Sequence, residues 1–68
     1  MNKTVTVNGQ QFKMYQASTG WVFVRSKKTG RTYPVAEIVD GNIAVIDQTP
    51  AISAATNEEL AAAWVNEG

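Results

Sequence analysis

Val5-Thr6-Val7-Asn8-Gly9-Gln10-Gln11-Phe12-Lys13-Met14 is the stretch from which the fold can be read. A type I′ turn needs positive φ at both central residues, and Asn-Gly supplies it at little cost, so Asn8-Gly9 predicts a two-residue hairpin loop. The loop sets the register. Val7 opposes Gln10 and Val5 opposes Phe12, which puts Val5, Val7, Phe12 and Met14 on one face. Thr4, Thr6, Gln11, Lys13 and Tyr15 take the other. Turn and hydrophobic pattern agree on a strand pair with one buried and one wet side.

Asp40-Gly41 repeats the signal further along the chain. It pairs Ile38 with Ile43 and Ala36 with Val45 on one face, and Val35 with Ile46, Glu37 with Ala44 and Val39 with Asn42 on the other. Both faces carry apolar side chains, as in a central strand or a sheet covered twice. Between the two hairpins, Trp21-Val22-Phe23-Val24 reads as a third strand after a turn at Ser18-Thr19-Gly20. Its connection to the fourth strand allows two registers. Lys27-Lys28-Thr29-Gly30 as a four-residue loop groups Tyr33 with Val22, Val24 and Val35; Lys28-Thr29-Gly30 as a three-residue loop with a bulge aligns Trp21, Phe23, Tyr33 and Val35. The second gives Gly30 a backbone reason to be there and is the expectation. Pro34 has no amide donor, so its strand is an edge or is interrupted at that point.

After Asp47 the pattern changes. Gln48-Thr49-Pro50 is a turn signal, and Ala51-Ile52-Ser53-Ala54-Ala55 reads as a linker packed through Ile52. Thr56 with Glu59 three residues on is a capping box, with Ala55 and Leu60 as the hydrophobic staple and Glu58 and Glu59 where the helix dipole favours anions. A helix is predicted from Asn57 to about Glu67, docking through Leu60, Ala61, Trp64 and Val65, with Ala62 and Asn66 outward. So short a helix needs tertiary contacts, and Trp64 is the expected anchor. The fold class is mainly β: an antiparallel meander of about five strands, of the small SH3-like barrel kind by strand count, covered by a C-terminal helix at about 57–67. Residues 1–68 read as one domain.

Composition excludes several function classes. The chain has no cysteine and no histidine among its 68 residues, so disulfides, thiolate metal sites and the commonest general base are missing. Nucleotide-binding glycine loops are absent, and Ser18, Ser26 and Ser53 sit at turns without a base of the usual kind. Asp40 and Asp47 lie at opposite ends of one strand, on the order of 20 Å apart, too far for a carboxylate pair. Capping accounts for Glu58 and Glu59, and Glu37 is a mid-strand acid that pairs with Arg25 or Arg31 or faces water. No enzyme activity, metal or cofactor is expected. The longest apolar run, Ile43-Ala44-Val45-Ile46, is far too short to span a membrane, and the first residues lack a signal pattern, so the expectation is a soluble cytoplasmic protein.

One local excess of chemistry remains. Arg25-Ser26-Lys27-Lys28-Thr29-Gly30-Arg31 holds four of the six basic residues of a chain with zero formal charge. Such a tip suits contact with phosphate or carboxylate. Arg25, Lys27, Lys28 and Arg31 are candidate partner-binding cations, with Tyr33, Tyr15 and Lys13 beside them as anchors on an exposed face. Trp21, Phe23, Phe12 and Trp64 sit in apolar context, and at least three of them are expected in the core. The expected function is a small non-enzymatic interaction module for a protein partner with an acidic surface. The alternatives are weak nucleic-acid binding through the same hairpin, which a pI near 6.1 disfavours, and a structural homo-oligomer.

Overall fold

Both glycine turns form as their chemistry dictates. Asn8 and Asp40 have φ of 51° and 52°, and Gly9 and Gly41 both have 80°, the positive-φ pairs of type I′ loops. In this computed structural model, which describes residues 1–46 and 55–67, the chain forms β1 (Asn2–Val7), β2 (Gln10–Gln16), β3 (Trp21–Arg25), β4 (Thr32–Val39), β5 (Asn42–Val45) and α1 (Asn57–Asn66). The strands make one antiparallel sheet in chain order, β1-β2-β3-β4-β5. Val5 opposes Phe12 and Val7 opposes Gln10, as the first turn requires. Ile38 opposes Ile43 and Ala36 opposes Val45, as the second requires.

The β3–β4 hairpin departs from the expected register. Ser26 and Arg31 close a four-residue loop: the Ser26 amide donates to the Arg31 carbonyl and the Gly30 amide to the Ser26 carbonyl, each at 2.9 Å. Gly30 does adopt positive φ, +74°, but as the last residue of that loop and not as part of a bulge. The bulge lies within the strands instead. Phe23 opposes Pro34 and Val22 opposes Ala36, so Val35 is an extra residue without a partner on β3. Pro34, which cannot donate to a ladder, sits immediately before the interruption.

This shift decides which aromatics face inward. Val35 and Ala36 are consecutive yet both fully buried, which a regular pleat does not allow. Tyr33 stands opposite Val24 and packs, half-buried, against the core. Trp21 and Phe23 fall on the other face and are only partly buried, so where at least three of the four aromatics were expected in the core, Phe12 and Trp64 alone join it.

The sheet curls into a half-barrel. Its outer strands, β1 and β5, are not paired with each other among the described residues, and α1 contacts β1 on one side and β4 and β5 on the other, lying over the opening. Val5, Val7, Phe12, Met14, Val22, Val24, Val35 and Ala36 from the sheet meet Ala55, Leu60, Ala61 and Trp64 from the helix and its approach. Each large apolar side chain buried there contributes roughly 1.5–3 kcal/mol. The helix starts at the predicted capping box: the Thr56 side chain accepts from the Glu59 amide and the Glu59 carboxylate accepts from the Thr56 amide. Its buried stripe is Asn57, Leu60, Ala61 and Trp64, and Val65, expected inside, is 49% exposed. At about 100° per residue Val65 turns off the stripe that the other four define. Asn57 belongs inside because its Nδ2 donates to the Ile46 carbonyl at 3.1 Å, tying the helix start to the end of β5. The turn expected at Gln48-Thr49-Pro50 and the packing expected of Ile52 lie outside the described residues.

Candidate functional site

The sheet face turned away from the helix carries two adjacent rows of side chains. Asn2 opposes Tyr15, Tyr15 opposes Phe23, and Phe23 opposes Pro34, giving an aromatic row across four strands. The Tyr15 and Phe23 rings stack at 6.4 Å between centroids and 28° between planes. Two residues along, Thr4 opposes Lys13 and Arg25 opposes Thr32. The β2–β3 register runs through Met14 and Val24, so its next step sets Lys13 beside Arg25. The second row therefore reads hydroxyl, cation, cation, hydroxyl.

These rows line one open hollow of about 370 Å³, walled by Asn2, Thr4, Lys13, Tyr15, Phe23, Arg25 and Thr32. Tyr15 is 44% exposed, so an aromatic surface remains available to a ligand there. Two like charges side by side across strands are unfavourable by themselves, and an anion between them removes that cost. Arg25 is held in place from behind: its Nε donates to the Gly30 carbonyl at 3.1 Å, which leaves the terminal guanidinium nitrogens for a ligand.

Of the residues singled out from sequence, the structure brings Lys13, Tyr15 and Arg25 together. Lys27, Lys28 and Arg31 are exposed on the hairpin beyond Arg25, in a loop braced by the Thr29 amide donating to Ser26 Oγ and the Arg31 amide to Thr29 Oγ1. Tyr33 does not belong with them: it points to the helix side of the sheet, because the four-residue loop sets it against Val24. Phe23, Thr4, Thr32 and Asn2 complete the hollow and were not expected in it. Strand parity was the available signal, since Val22 and Val24 inward puts Phe23 outward. Glu37 stands opposite Trp21 on β4.

Charge is segregated along the chain in a way the zero total hides. Residues 1–31 contain all six cations and no acid, and residues 32–68 contain all six acids and no cation. The cationic segment is β1 to β3 with the basic loop, and the acidic one is β4, β5 and the helical segment. The neutral total thus conceals a complete separation of the two charge signs along the chain. Among the described residues no group of three or more His, Cys, Asp or Glu side chains is placed to hold a metal ion, and no helix is long and apolar enough to cross a membrane.

No family model, curated protein or solved structure matches this chain.

Proposed function

We propose that this protein is a non-enzymatic interaction module that holds an acidic segment of a protein partner on the outer face of its sheet. Support comes above all from one observation: Lys13 and Arg25 lie side by side next to the Tyr15–Phe23 stack in an open hollow. Cations supply charge recognition and the rings supply apolar contact area. Lys27, Lys28 and Arg31 extend the positive potential beyond the hollow and steer an acidic partner toward it. A long polyanion meets less favourable conditions. Nucleic acid carries charge continuously, whereas all six cations here lie in residues 1–31 and every charged residue of the remaining chain is acidic.

The test is affinity purification from the source cells with the native protein and with the Lys13→Glu/Arg25→Glu variant, both checked for fold by circular dichroism. A protein retained by the native form and lost with the variant supports the reading. Equal retention by both forms overturns it. Recovery of nuclease-sensitive nucleic acid in place of protein overturns it in favour of nucleic-acid binding.

A further inference from the structure

We infer that Lys13 and Arg25, the two cations at the centre of the second row, seat a phosphomonoester, and that the partner presents it as a phosphotyrosine whose ring lies on Tyr15 and Phe23. This rests on the proposed binding of a protein segment and names the group recognised. The argument starts from charge. A carboxylate carries one negative charge, and a phosphodiester one, but a phosphomonoester carries about −1.5 to −2 with three acceptor oxygens. Two adjacent cations match that charge, and their several N–H donors serve its acceptor oxygens.

The second step is geometric. The cationic and aromatic rows are two residues apart along their strands, roughly 7 Å at the strand rise. The oxygens of a phosphate ester carried directly on an aryl ring, together with one hydrogen bond of about 2.9 Å to a cation, span that separation. A phosphoserine has no ring to place on Tyr15 and Phe23, and a nucleotide puts a sugar between base and phosphate. The third is preorganisation: the Arg25 guanidinium, tethered through Nε to Gly30, forfeits less freedom on binding than a free arginine.

Three probes are titrated against the native protein by calorimetry and by amide chemical shifts: an acidic peptide with one central phosphotyrosine, the same peptide with tyrosine, and a nucleoside monophosphate. The phosphopeptide is expected to bind at least about tenfold more tightly than its unphosphorylated form, with shifts at Thr4, Tyr15, Phe23 and Thr32. Lys13→Gln and Arg25→Gln should each remove most of that preference, and both sites are exposed, so the fold is retained. Equal binding of the two peptides overturns the phosphate seat while leaving the acidic-segment reading intact. A nucleoside monophosphate binding more tightly than the phosphopeptide overturns the phosphotyrosine assignment. Binding of neither peptide overturns both readings.

Discussion

Lys3 of β1 lies over the ring of Trp64 near the end of α1, its ammonium 4.2 Å from the ring centroid, and donates a hydrogen bond to the Trp64 carbonyl. The last helical turn has no basic residue of its own, so its partly negative carbonyl end is met by a cation from the first strand. A second tie runs beside it: the Thr6 amide donates to the Glu67 carboxylate at 2.9 Å. In a two-residue hairpin Thr6 is at a non-hydrogen-bonded position, so its amide points away from β2, and Glu67 satisfies it. One free amide of the sheet edge is thus satisfied by the helix that covers it.

Lys3→Met keeps the apolar stem and removes the charge. The variant is expected to lose about 1 kcal/mol of unfolding free energy, since a cation–π contact and a charge at a helix C-terminus are each worth a fraction of that to somewhat more. Urea denaturation at low and high salt measures it. Trp64→Ala is expected to cost about 3–5 kcal/mol, a large share of the stability of so small a domain. If Lys3→Met unfolds at the native midpoint, the strand-to-helix tie has no energetic content.

Gly20 separates two reasons for a glycine at a positive-φ position that otherwise look alike. Its φ is +100°, and a Cβ there would stand 2.7 Å from the Ile38 carbonyl oxygen and 2.9 Å from Val39 Cγ2. Backbone approaches backbone at this point because the Ile38 amide donates to the Gly20 carbonyl at 2.9 Å. Gly9, at φ +80°, has nothing within 4 Å of where a Cβ would be. Gly9→Ala therefore carries only the conformational cost, about 1 kcal/mol, whereas Gly20→Ala adds a steric clash and should cost at least about 2 kcal/mol. Paired thermal melts of the two variants give the comparison, and equal losses would show that the β2–β3 turn yields to the methyl group.

Local chemistry made most of the fold readable in advance. Asn8-Gly9, Asp40-Gly41 and the Thr56/Glu59 box each act over a few residues, and all three form in the structure. The β3–β4 register is a different kind of problem. Both registers weighed from sequence occur, one on each side of Val35, because the extra residue is absorbed within the strand next to Pro34 instead of at Gly30. Nothing within the loop itself reveals that. The site differs accordingly: the four-residue loop turns Tyr33 toward the core, and strand parity puts Phe23 on the outer face beside Tyr15. Charge segregation was present in the residue order from the start, but a zero total conceals it.

Glu59 gives the domain a defined response to acid. Its carboxyl is held below the ordinary glutamate pKa, first by the hydrogen bond from the Thr56 backbone, then by that from Asn8 and by the Thr56 side chain. Asn8 Nδ2 donates to Glu59 Oε2 at 3.0 Å, so one carboxylate joins the helix cap to the first hairpin turn. A folded pKa lowered below the unfolded one means that the ionised form favours folding. The contribution is therefore complete above the unfolded value, ~4.3, and disappears as pH falls through the folded one. Denaturant midpoints measured from neutral pH into this acidic range should show native protein above Glu59→Gln at neutral pH by a small margin, since the carboxylate is exposed, and the two converging on acidification. Glutamine keeps one oxygen to accept from the Thr56 amide, while its NH2 replaces the oxygen that accepts from Asn8, so the variant removes the charge together with the Asn8 acceptor. Thr56→Ala should lower stability by about 1 kcal/mol at neutral pH and also narrow the pH-dependent gap, because it removes a hydroxyl that acts on Glu59. A gap between native and Glu59→Gln that stays constant from neutral to acid would assign the carboxylate a purely steric role in the cap.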